Sequence, residues 1–207
     1  MEDFLIYLRL GFDHITDPSG YDHILFVIAL CAVYTIQQWR QVLILVTAFT
    51  IGHSITLALA TLQLIKYKTE LIELLIPITI LITAITNFFF QESKLRGPAI
   101  SQSSSPIGRY MLALSFGLIH GMGFSNYLRS LLGREAAIVQ PLLAFNIGLE
   151  LGQLVIVSLV LAVAYFLLDI VKSRRLRWVL IVSGVVAGMA LSLIINNEYL
   201  HEFMQGK

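Results

Sequence analysis

The sequence predicts an all-α protein: a polytopic transmembrane helical bundle of about six spans, preceded by an N-terminal interfacial or re-entrant segment. Two observations carry this. Hydrophobic residues make up 57% of the 207 residues and charged residues only 13%, where a soluble domain carries about 25% charged. The apolar residues also come in unbroken runs, near the roughly 20 residues that cross hydrocarbon, and lack the alternation of a membrane β-barrel.

In order, residues 1–20 (MEDFLIYLRLGFDHITDPSG) read as an amphipathic segment on the membrane or plugging the outer mouth. The start is acidic and broken by Arg9 and Asp13, which argues against a cleavable signal peptide. Asp17-Pro18-Ser19-Gly20 is a turn signal. The six candidate spans are 21–36, 41–65, 70–90, 108–128, 137–171 and 178–197. The fifth is too long for a straight crossing, so it tilts or begins as an interfacial turn around Pro141. Residues 97–108 (GPAISQSSSPIG) read as a flexible linker between two halves of a single integral membrane domain, 1–207.

Charge sets orientation and excludes one class of partner. A formal net charge of +1 offers no basic face for nucleic acid. Loops after spans one, three and five hold Arg40; Lys94, Arg96 and Arg109; and Lys172, Arg174, Arg175 and Arg177. The other side holds Arg9, Lys66, Lys68, Arg129, Arg134 and Lys207. Eight against six places the first side in the cytoplasm of a bacterial inner membrane, with both termini outside. Cys31, the only cysteine, reads as a small buried hydrophobe. Lipid and a metal ion are the expected partners, and a homo-oligomer is open.

The polar residues inside the apolar runs carry the functional signal, because an ionisable group there costs at least a few kcal/mol. His23, His53 and His120 lie on spans one, two and four, and Asp22 and Glu150 add carboxylates. Together they have the composition of a metal site between helices, and these five are the expected ligands. Imidazole and carboxylate suit a divalent transition metal, zinc or nickel foremost, better than copper(I). Asp22 also fits a helix cap. Around this set, His14 and Asp13, Glu73, Thr50 and Ser54, and Asn146 and Gln153 are expected as supporting or vestibule residues. Each has a bland counterpart: a histidine bonded to a backbone carbonyl, or a polar stripe gluing helices. Phe49-x-x-x-His53 and Phe116-x-x-x-His120 echo each other faintly between the halves. Gly184-x-x-x-Gly188 looks like helix packing. Phosphate loops, H-E-x-x-H, C-x-x-C and G-x-S-x-G motifs do not occur.

Four motifs, GYDHILF (20–26), FTIGHSITL (49–57), FGLIHGMGF (116–124) and FNIGLELGQ (145–153), resemble in order those of the second subgroup of the HupE/UreJ family of bacterial membrane proteins. The resemblance runs from residue 11 to about 160. It implies a metal-handling membrane protein, since members are described as nickel or other metal permeases associated with hydrogenase and urease. The His-rich loop of some nickel permeases is not found in this sequence.

Three functions fit. A permease would hold a divalent cation on the intramembrane His/Asp/Glu set. An intramembrane metal-dependent hydrolase would use the same set to activate water. A structural protein would use the polar residues only to join helices.

Overall fold

The computed structural model describes residues 2–95, 106–132 and 138–205, and among them every regular element is helical. The helices are α1 (Glu2–Thr16), α2 (Tyr21–Cys31), α3 (Trp39–Thr61), α4 (Thr69–Leu95), α5 (Pro106–Gly123), α6 (Ser125–Leu132), α7 (Val139–Tyr165), α8 (Arg175–Ile195) and α9 (Glu198–Met204). Four segments are long and apolar enough to cross a membrane: Ile36–Thr61, Thr69–Phe89, Val139–Ile170 and Arg175–Ile195. The sequence predicts six. The first candidate yields only the short helix α2. The fourth, diluted by Arg109, Ser115, His120 and several glycines, becomes α5, which ends at Gly123 and turns into the short α6. The fifth runs as one helix from Val139, with Pro141 in its first turn and a π-turn at Phe166–Ile170. Most of the linker expected at 97–108 lies outside the described residues.

Helix directions follow from the contacts. At one end of the bundle, the Trp178 indole donates to the Ala32 carbonyl (3.0 Å), Arg175 donates to the Val33 carbonyl, and Arg109 reaches Asn87 (3.2 Å). We call this the arginine end. The first turns of α2 and α4, the end of α8 and helix α9 surround a cavity of about 490 Å³ at the other, or cavity, end. Helices α2, α4 and α7 therefore run from the cavity end to the arginine end, and α3, α5 and α8 run back.

Two helix pairs approach so closely that only glycine fits. In α3/α5, a methyl on Gly52 would drive into the Leu114 carbonyl, and one on Gly117 into the Phe49 carbonyl. In α1/α7, Gly11 sits against the Phe145 carbonyl and Gly148 against the Leu8 carbonyl. The two pairs use the same code. Leu8-x-x-Gly11-x-x-His14 matches Leu114-x-x-Gly117-x-x-His120, and Phe145-x-Ile147-Gly148 matches Phe49-x-Ile51-Gly52. Each glycine meets the carbonyl three residues before its partner's glycine. The chain thus contains a parallel helix pair twice, α1 with α7 and α5 with α3. This is not the echo between α3 and α5 that the sequence offers. By contrast, a methyl on Gly184 or Gly188 would meet nothing within 4 Å among the described residues, so that pair packs no neighbour.

Through this repeat residues 1–20 pack against the bundle. Helix α1 runs parallel to the first half of α7, with Ile15 fully buried against Gly152 at its middle. Helix α2 continues in the same direction. The two form one broken helix, interrupted where the Asp17 carboxylate accepts the Ser19 N–H (2.8 Å) and Pro18 opens a tight turn. Interrupted helices inside a membrane are tolerated where the break lines a cavity.

Candidate metal centre

The break in the α1–α2 helix brings the histidines together. His14 closes α1 and His23 opens α2. One ring nitrogen each from His14, His23 and His53 lies within 4.8 Å of the others. Metal–nitrogen bonds of about 2.0–2.1 Å place tetrahedral ligands roughly 3.3 Å apart, so rotamer-scale movements would close the three on a cation. His120 also packs against His23, with ring centroids 5.0 Å apart, against 4.7 Å for His14 and His23. His23 thus touches the equivalent histidines of both repeats.

Hydrogen bonds fix which nitrogens are free. The Asp22 carboxylate accepts from the His23 backbone (2.8 Å) and from ring Nδ1 (3.0 Å), so Nδ1 carries hydrogen and Nε2 keeps its lone pair. This is the carboxylate–histidine arrangement that orients metal ligands. His23 Nε2, His14 Nε2 and both nitrogens of the fully buried His53 have no hydrogen-bond partner. A buried polar atom left unpaired costs about 1–3 kcal/mol, and a shared cation is one chemistry that satisfies several imidazole nitrogens at once. Asp22→Asn is expected to keep the fold and lower metal affinity roughly 10–100-fold, as read by competition with a chromogenic chelator.

Cavities reach the histidines from the cavity end. A cavity of about 240 Å³ at the cavity end is lined by His14, His23, His120, Asp22 and Glu73 among others, and it shares Asp22 and Glu73 with the 490 Å³ chamber. A third cavity, about 460 Å³, reaches His14 beside Asp13 and Tyr127. Towards the arginine end, Phe26, Phe49 and Phe116 each lie about one turn from His23, His53 and His120. Phe26 packs on Phe49 (ring centroids 4.8 Å) and on Phe116 (6.0 Å). These rings floor the site.

The remaining expected residues are placed as follows. Asp13 is exposed and pairs with Arg9 (3.4 Å) on α1. Ser54 donates to the Thr50 carbonyl (2.7 Å), away from the His53 ring. Thr50 bonds Gln153 Oε1 (2.7 Å) across α3/α7, and the Asn146 amide donates to the Leu142 carbonyl (2.8 Å). Glu150 does not join the histidines. It accepts from exposed Thr47 (2.9 Å) on the outer side of α3/α7. The reason is helical phase: at 100° per residue, Glu150 points about 200° from Gly148, which faces α1. Buried Leu149 instead occupies the position that matches His53 in the repeat. His14, expected only in a supporting role, sits inside the cluster. Its sequence signal was the match of Leu8-x-x-Gly11-x-x-His14 to Leu114-x-x-Gly117-x-x-His120.

No curated protein and no solved structure matches this chain. The family described as HupE / UreJ protein matches residues 1–199, close to the whole length, and the matched stretch contains all four histidines of the cluster. The apolar helices make the chain a membrane protein, and by that match it belongs to the HupE/UreJ family.

Proposed function

We propose that this protein is a divalent transition-metal permease, and that its cargo rests on His14, His23 and His53. The observation that carries the reading is the convergence of three imidazoles with unpartnered buried nitrogens, one of them backed by a carboxylate. Family membership agrees with metal handling. An all-imidazole set suits nickel or zinc. The positive end, with Arg40, Arg109, Lys172, Arg174, Arg175 and Arg177, faces the cytoplasm of a bacterial inner membrane in this reading. The cavity end then faces outward, and the cation enters from there. The route to the histidines is walled by carboxylates, which suits a cation better than the acyl chain an intramembrane hydrolase would admit.

The test is elemental analysis of detergent-purified wild type beside His14→Ala and His53→Ala, together with metal uptake into proteoliposomes. The wild type is expected to hold one tightly bound cation per chain and to admit it into vesicles. Each variant is expected to fold, lose that cation and stop uptake. Metal retained in both variants, or no flux through the purified wild type, would refute the reading.

A further inference from the structure

We propose that the chain holds a second, outer cation station, formed by His120, Glu73 and Asp22 on the cavity side of the three-histidine centre. The proposal rests on the permease reading in taking a divalent cation as cargo, and it adds a site that the three-histidine cluster does not contain. Four observations converge on it. First, the Thr79 hydroxyl donates to the Ile76 carbonyl (2.7 Å), so its oxygen accepts from His120 Nε2 (3.1 Å). That bond sets the tautomer and leaves Nδ1 of a fully buried ring with a free lone pair and no partner. Second, the 240 Å³ cavity joins His120 to Asp22 and Glu73. At about 30 Å³ per water it has room for a cation that keeps several waters. Third, Pro77 lies inside α4 and cannot donate the usual helical hydrogen bond to the backbone carbonyl of Glu73, a residue that lines the cavity. Fourth, His120 is the repeat counterpart of His14, and both face His23. One nitrogen with two carboxylates makes a harder, wetter donor set than three imidazoles. The outer station therefore binds more weakly and exchanges faster, and the 490 Å³ chamber with Glu70, Glu198 and Glu202 feeds it. A cation sheds part of its water there before His23 draws it inward.

The experiment is calorimetric titration of the detergent-purified full chain with zinc chloride, with thermal melting of each variant alongside. The wild type is expected to bind two equivalents, the second at least tenfold weaker. Glu73→Gln, on an exposed side chain, and His120→Gln are each expected to lose the weak equivalent and keep the tight one within about threefold. His53→Ala is expected to show the opposite loss. A single equivalent in the wild type, or loss of the tight equivalent in Glu73→Gln, would overturn the outer station while leaving the three-histidine centre standing. A tight equivalent that survives His53→Ala would instead count against the permease site, with the outer station decided by its own two variants.

Discussion

Gly148→Ala is expected to melt well below the wild type and to lose the tightly bound cation, although residue 148 touches no histidine. The added methyl would collide with the Leu8 carbonyl, with the Leu8 carbon and the Phe12 nitrogen close behind. All three are backbone atoms, so no side-chain rotation relieves the clash and α1 must move off α7. Overpacking typically costs 1–3 kcal/mol; with an immovable obstacle the cost here is about 3 kcal/mol. Because α1 carries His14, the displacement opens the metal centre. The measurement is thermal unfolding in detergent, paired with metal content. Gly188→Ala is the control, since its methyl meets nothing within 4 Å among the described residues. Equal melting of the two variants would mean that the α1/α7 approach is not what holds His14 in place.

His23→Ala is expected to have the largest effect on binding of any single histidine replacement. His23 is the only one of the four flanked by both repeat histidines, and the only one whose ring is bonded by a carboxylate. Removing a supporting residue lowers affinity about 10–100-fold, and removing the central ligand itself should exceed about 100-fold. Zinc competition against chelators of graded affinity measures this. A loss below tenfold would show that His14 and His53 suffice without it.

Much of this was legible in the amino-acid order. The apolar runs of α3, α4, α7 and α8 are long and uninterrupted, so composition alone located them. His23, His53 and His120 stood out because an imidazole is costly in hydrocarbon. What stayed hidden was rotation and partnership. Glu150 lies two residues from Gly148, yet that small step turns it to the far side of α7. Helix α1 has an amphipathic pattern that serves equally for a membrane surface and for packing on a neighbouring helix. Only the glycines distinguish the two, because Gly11 and Gly148 fit each other's backbone. The end of α5 at Gly123 was also misplaced, since Phe124, Tyr127 and Leu128 carry an apolar signal on one face past the helix end, although α6 also holds Ser125, Asn126, Arg129 and Ser130.

The layer of Phe26, Phe49 and Phe116 has an electrical consequence. In the permease reading the cavities above the imidazoles fill with water, so that half of the path would conduct and sustain little voltage. Most of the membrane potential would then fall across the apolar layer beneath the histidines. An ion reaching the histidines travels almost without electrical work. The step past the aromatic rings carries nearly all of it, about 4.6 kcal/mol for a doubly charged ion at 100 mV.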